Sequence, residues 1–182
     1  MPDTDFEAPG LSSTSSAPPR VQEISSEISG FIAKNGWKRV DKTEFEGSVG
    51  LRLYLDVRNV LLDVTIIVNN DPLYIAFYAR LPMRCQPEYE LLVDDYLSEY
   101  NYGQSIGFMQ RNKHDGALEY QFSFSVAHSF FIEDFELYFN ACLYSAAIAY
   151  PEVSKLCAGR LTRAQLAEVK IKLQELTRAL DN

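Results

Sequence analysis

The chain has 182 residues and a formal net charge of −8, which suits one domain with appendages. An acidic surface repels phosphate backbones and anionic lipids, so the composition argues against nucleic acid or a membrane as the main partner. Three cysteines without a C-x-x-C pair suit a reducing compartment, and we expect a cytoplasmic protein.

The first twenty residues predict a disordered tail. They contain four of the eight prolines, clustered serines and three acidic residues. A segment of this composition cannot bury enough apolar surface to offset its ordering entropy, and it has no apolar core of a signal peptide. We therefore expect a tail over 1–20, a folded domain over 21–158 and an amphipathic helix over 159–182.

The first half of the domain predicts one helix and a meander of strands. Apolar residues at helical spacing indicate a helix over 21–34, which Asn35-Gly36 ends. Trp37 begins a short extended piece. Three segments of period-two alternation then predict antiparallel strands, joined by tight turns at 58–59 and 69–72: 51–57, 60–68 and 73–81.

The second half predicts a helix, a hairpin and a long helix. Carboxylates in a first turn at 88–90 begin a helix that ends near Gly103. Strands over 106–111 and 117–126 flank a turn with an Asp-Gly step. The strand over 117–126 alternates cleanly, so we expect Phe122 to be buried in a central strand. A long helix over 132–150 follows, and Pro151 kinks or interrupts it.

These elements predict an α+β fold of order α-β-β-β-α-β-β-α with an extra C-terminal helix. We expect a single antiparallel sheet of five or six strands with helices packed on one face.

Three short motifs carry a resemblance to a known family: Leu97-Ser98-Glu99-Tyr100-Asn101 closing a helix, Gly107-Phe108 in a strand, and Gly116-Ala117-Leu118-Glu119-Tyr120. This run resembles the YbjN-like domain family and the wider fold of type III secretion chaperones, over about residues 21–158. The resemblance implies a regulator of sensory transduction or an acidic, dimeric chaperone that holds partner polypeptides. It implies no catalytic residue.

Residues with catalytic or metal-binding chemistry are few. His114 falls in a predicted turn and His128 follows a strand, and no nucleophile stands in a G-x-S-x-G elbow. The acidic runs around 90–99 and 133–136 could offer oxygen ligands to a hard cation, but adjacent acids on a helix point in different directions. We therefore predict no enzyme, no cofactor and no metal site.

The predicted sheet has a second face opposite its helices. Tyr54, Ile67, Tyr74 and Tyr78 are expected on this face, among charged neighbours such as Arg52 and Arg80. Aromatic side chains with interspersed charge are typical of interaction surfaces. We predict that these four residues bind a partner.

The leading function is a non-enzymatic regulator or chaperone-like adaptor that binds another protein. The alternative is a small-ligand module or enzyme with a pocket between the sheet and the helix over 132–150. A pocket with convergent polar groups would favour the alternative. A broad exposed apolar face would favour the adaptor.

The C-terminal segment predicts an association seam. Thr162 and Gln165 fit a capping box, and a narrow apolar stripe with three-four spacing follows it: Leu166, Val169, Leu173, Leu176 and Leu180. A helix this short is marginal alone in water, so the stripe has to pack against something. We favour the same helix of a second chain, giving a homodimer, over docking onto its own domain.

Overall fold

The computed structural model describes residues 17–162 together with 164, 165, 167 and 168, and it confirms the α+β fold. In chain order the elements are α1 (Pro19–Lys34), β1 (Arg39–Phe45), β2 (Ser48–Val57), β3 (Val60–Asn69), β4 (Tyr74–Arg84), a 3₁₀ turn (Pro87–Tyr89), α2 (Glu90–Tyr102), β5 (Phe108–Arg111), β6 (Ala117–Ser125) and α3 (Ile132–Cys157). The helix at 132 continues through Pro151 as one helix of 26 residues.

The first strand, β1, is one more strand than the predicted order contains. The sequence predicts only a short extended piece here, because all seven residues of β1 are exposed and no apolar alternation marks them. Glu46 and Gly47 adopt positive φ angles of 46° and 77°, which make the two-residue turn into β2. Charged side chains such as Lys42 and Glu44 suit a strand at the edge of a sheet.

The six strands form one antiparallel sheet in the order β1-β2-β3-β4-β6-β5. The predicted meander is confirmed as β2, β3 and β4, and Arg58 and Asn59 form the tight turn between β2 and β3 with positive φ. Phe77 of β4 pairs with Phe122 of β6.

The strand β6 lies between β4 and β5, as expected of a central strand, but Phe122 is only half-buried, so the expectation of a buried residue is wrong. The short β5 pairs with β6 only over Leu118–Gln121. Beyond Gln121, β6 is therefore the edge of the sheet on that side. Phe122 does face the core, where its ring lies 5.1 Å from Tyr138 between ring centroids.

One face of the sheet is covered by helices. α1 and α3 pack across β2, β3 and β4, while α2 packs against β5 and α3. Aromatic rings fill the space under α3: the ring centroid of Phe77 lies 5.3 Å from Phe135 and 5.5 Å from Phe139. Burial of large apolar side chains of this kind is the main favourable contribution to folding.

The motif residues near α2 stabilise the hairpin of β5 and β6. Gly107 has φ of +68°, and a Cβ there would lie 2.5 Å from the Gln121 carbonyl oxygen and 2.7 Å from the Tyr120 ring. Only glycine fits this approach. The Tyr120 hydroxyl donates a hydrogen bond to the Ile106 carbonyl just before Gly107. The motifs quoted for the resemblance are therefore structural in this chain.

Several predicted features lie at or beyond the ends of the described residues. The first sixteen residues lie outside them; Ala17 is buried and α1 begins at Pro19, two residues before the predicted start. The capping box is confirmed: Gln165 N–H donates to Thr162 Oγ1 (3.3 Å) and Thr162 N–H donates to Gln165 Oε1 (2.9 Å). The whole predicted seam lies outside the described residues: Leu166, Val169, Leu173, Leu176 and Leu180.

Within the described part of the chain, α3 is the longest helix, and no helix there is apolar enough over the length needed to cross a membrane.

Candidate functional site

The face of the sheet opposite the three helices carries the predicted partner-binding residues. Tyr54, Ile67, Tyr74 and Tyr78 all lie on it, alternating along their strands with core residues such as Leu53, Ile66 and Phe77. All four are partly or largely exposed. The period-two alternation therefore predicted their side of the sheet correctly.

Three of the four residues form one apolar group. The register pairs Ile67 with Ala76 and places Ala76 between Tyr74 and Tyr78 on β4. On the other side of β3, Ile67 pairs with Gly50, so both cross-strand neighbours of Ile67 are small residues. Burial raises the pKa of Tyr78, with smaller effects from nearby Tyr74 and Glu119, so the Tyr78 hydroxyl is neutral over the physiological range.

Tyr54 is separated from that group by an ion pair. Arg52 binds Asp63 on the neighbouring strand with two hydrogen bonds, Nε to Oδ1 at 2.8 Å and Nη2 to Oδ2 at 2.6 Å. The same Nη2 donates to the Tyr54 hydroxyl at 3.1 Å, and the guanidinium carbon lies 5.4 Å from the Tyr54 ring centroid. Tyr54 is thus held by this ion pair at the side of the face.

Two exposed aromatic residues that the sequence analysis missed extend the apolar group. Phe108 on β5 pairs with Gln121, which pairs with Tyr78, so Phe108 lies on the same face. The Phe45 ring lies over Gly50, where a Cβ would be 3.5 Å from Phe45 Cε1. We call Phe45, Ile67, Tyr74, Tyr78 and Phe108 the aromatic face.

A charged border lies beside the aromatic face at the end of β4. Arg80 binds Asp115 at 2.5 Å and lies 3.3 Å from Glu119, and Arg84 is 3.8 Å from Asp115. The Ala117 N–H and then the Arg80 guanidinium lower the pKa of Asp115. A hollow of about 430 Å³ opens here, and its charged groups already have partners.

Packed side chains fill the space between the sheet and α3. The alternative function, a small-ligand module or enzyme, would need a pocket there. A hollow of about 330 Å³ lies at the β2–β3 turn beside the outer side of α3. Its lining is mainly apolar, with polar groups only at the turn and at Tyr150: Arg58, Asn59, Val60, Ala147, Ile148, Tyr150 and Pro151. These polar groups belong to an open turn rather than a closed site.

Of the residues considered as catalytic or metal-binding candidates, His114 and two acidic residues of α2 make structural contacts. His114 lies exposed in the β5–β6 turn, where its N–H donates to Asn112 Oδ1. Arg111, whose side chain is only 6% exposed, binds Glu90 at 2.9 Å and Asp94 at 2.8 Å. This contact lowers the pKa of Asp94. No group of three His, Cys, Asp or Glu side chains within the described ranges is placed to hold a metal ion.

Comparison of the chain with protein-family models, with curated proteins and with solved structures found no match. The similarity to the YbjN-like domain stays a prediction from the motifs quoted above. The exposed surfaces of the domain are therefore the basis on which a function can be argued.

Proposed function

We propose that the protein is a non-enzymatic regulator or chaperone-like adaptor that binds another protein through the aromatic face. The observation that carries this proposal is the side of the sheet opposite α1, α2 and α3, where exposed and partly exposed aromatic side chains are spread from β1 to β5. Surfaces that combine aromatic side chains with paired charges are typical of protein interfaces.

The form of the face supports a protein partner over a small molecule. The face lies across the strands of the sheet, and each of its aromatic rings is held by a strand rather than by a loop. Tyr and Phe side chains have few rotatable bonds, so they lose little conformational entropy when a partner covers them. Small ligands instead bind in concave pockets with convergent polar groups.

The charge of the domain restricts the chemistry of the partner. A net charge of −8 disfavours nucleic acid and anionic lipid, and it favours a polypeptide with apolar side chains flanked by basic ones. The chaperone-like resemblance agrees with a partner of this kind. The ion pairs of Arg52 with Asp63 and Arg80 with Glu119 would lie at the edge of such an interface.

Site-specific photo-crosslinking tests the proposal. A photoreactive phenylalanine derivative replaces Tyr78 on the aromatic face, and in a matched chain it replaces Tyr102, which is 95% exposed at the end of α2. Irradiation in native extract followed by mass spectrometry should give a protein adduct from position 78 and none of the same partner from position 102. Adducts with the same protein at equal yield from both positions, or from position 102 alone, would contradict the proposal.

A further inference from the structure

The long helix α3 is apolar on two opposite sides. Its inner side packs on the sheet through residues such as Phe135 and Phe139. Its outer side exposes Leu137 (62%), Tyr144 (54%) and Ile148 (58%). With Ala141 and Pro151 between and after them, these residues step by four, three, four and three: Leu137, Ala141, Tyr144, Ile148 and Pro151. We call this set the outer stripe.

The outer stripe has the pattern of a helix-packing surface. Single exposed apolar residues are ordinary, but a three-four repeat along one line of a helix is the spacing of a seam between two helices. The stripe lies on the helical layer, whereas the aromatic face lies on the other side of the sheet. A partner on the aromatic face would therefore leave the stripe exposed.

The helix α3 ends in a tight turn at Gly159 and Arg160. Gly159 has φ of +64°, its N–H donates to the Leu156 carbonyl, and Arg160 N–H donates to the Lys155 carbonyl at 2.7 Å. This is the Schellman arrangement that ends a helix. The capping box at Thr162 then starts a new helix, of which 164, 165, 167 and 168 are described as helical. Helices joined by two to five residues commonly form an antiparallel hairpin.

The apolar stripe of the following segment has the same spacing and length as the outer stripe. Leu166 to Leu180 and Leu137 to Pro151 each span 14 residues, about 21 Å of helix. In an antiparallel hairpin that turns at Arg160, two residues lie opposite each other when their numbers sum to about 320. The apolar positions meet in that register: Val169 with Pro151, Leu173 with Ile148, Leu176 with Tyr144, and Leu180 with Ala141.

Shape and charge both suit this pairing. The hollow of about 330 Å³ beside Ile148 and Pro151 lies where the side chains of Val169 and Leu173 would enter. Residues 159–182 carry five basic and three acidic side chains, while the whole chain has a charge of −8. A weakly basic segment is attracted to an acidic domain.

We propose that residues 163–182 form a helix that folds back antiparallel on its own α3 and covers the outer stripe. The occupant of this surface is the C-terminal segment of the same chain, and the aromatic face stays free for a partner. The stripe that the sequence suggested as a dimer seam is then buried within one molecule.

Disulfide trapping in the full chain tests the register. The pair Tyr144→Cys and Leu176→Cys places two thiols opposite each other; oxidation with copper phenanthroline removes two electrons and two protons from them and forms one S–S bond. We expect an intramolecular bond in monomeric protein, seen as faster migration on a non-reducing gel. Tyr144 is exposed, so its replacement should leave the core folded, which comparison with the unmodified chain checks. The native Cys85, Cys142 and Cys157 are buried, and oxidation of the unmodified chain measures their background.

The matched control replaces Leu176→Cys by Arg178→Cys, two residues along and on the far side of the same helix. This pair should form the intramolecular bond at least tenfold more slowly. Equal rates for the two pairs, or no bond in either, would overturn the proposal because the segment would have no fixed register on α3. Disulfides that form only between two chains, or light scattering that shows a dimer of the unmodified chain, would assign the stripe to a second copy instead.

Discussion

The Asn101 carboxamide forms two hydrogen bonds with the main chain of Met109 on β5. Asn101 Nδ2 donates to the Met109 carbonyl at 2.8 Å, and Met109 N–H donates to Asn101 Oδ1 at 2.7 Å. Since β5 is the last of the described strands in the sheet, these main-chain groups have no strand of the described chain beside them on that side. The end of α2 thus occupies an edge that another strand could otherwise extend.

Replacing Asn101→Ala should therefore destabilise the domain. The change removes two hydrogen bonds to part-buried main-chain groups, at a cost of about 1–3 kcal/mol. Gln110→Ala on the same strand is the matched control, because its side chain forms no hydrogen bond with the described residues, and it should lie within about 0.5 kcal/mol of neutral. Urea unfolding followed by circular dichroism measures both. Equal effects would mean that Asn101 does not hold β5.

The paired residues Phe77 and Phe122 differ in burial. Phe77→Ala should cost about 3–5 kcal/mol, because Phe77 is fully buried under α3. Phe122→Ala should cost less, about 1–3 kcal/mol, because half-burial at the free edge of β6 leaves the site open to relaxation.

Ser123→Ala, on the other side of β6, should lie within about 0.5 kcal/mol of neutral. Equilibrium unfolding in urea should rank the three changes in that order. A Ser123 effect as large as that of Phe122 would show that the two sides of the strand are assigned the wrong way round.

The aromatic face should contribute to binding more than to folding. The double change Tyr74→Ser with Tyr78→Ser should reduce capture of the partner from native extract at least tenfold, because aromatic residues dominate interface energies. The melting temperature should fall by less than for Phe77→Ala. Tyr102→Ser is the control and should leave capture unchanged. If the double change lowers the melting temperature as a core truncation does, these tyrosines are packing residues.

At acid pH the contact between Asp94 and Arg111 should affect stability. Arg111 lowers the pKa of Asp94 below its ordinary 3.8, so the unfolded chain binds this proton first as pH falls. The stabilisation is therefore present above about pH 4 and is lost below it. Asp94→Asn should reduce the difference in melting temperature between about pH 7 and about pH 3 by a few degrees. Glu136→Gln on α3, far from Arg111, should leave that difference unchanged.

At alkaline pH the buried thiols should destabilise the fold. Burial raises the pKa of Cys142 and of Cys157 from 9.0 to about 12. Above about pH 9 the unfolded chain loses these protons while the folded chain keeps them, so the free energy of unfolding falls as pH rises. The melting temperature should decline between about pH 8 and about pH 11, and more gently in Cys142→Ala. A flat profile in the unmodified chain would show that water reaches both thiols.

Local patterns determined much of this fold. Side chains alternate across a strand with a period of two, so the residues of 51–57, 60–68 and 73–81 revealed which side faces the core without knowledge of their neighbours. The turn at Arg58-Asn59 and the capping box at Thr162 depend on adjacent residues, and both are as expected. For the same reason the sequence was enough to place Tyr74 and Tyr78 on the open side of the sheet.

Strand order and register were decided only by the tertiary structure. β1 has no buried residue, so its sequence carries no apolar period, and its partner β2 makes it a strand. Phe108 joins the aromatic face because β5 pairs with β6 at Gln121, and Phe122 is half-buried because β5 is too short to cover it. The outer stripe of α3 could be recognised only from the tertiary structure, which shows which side of the helix packs on the sheet. Each of these features depends on contacts between residues far apart in the chain, which a local pattern does not encode.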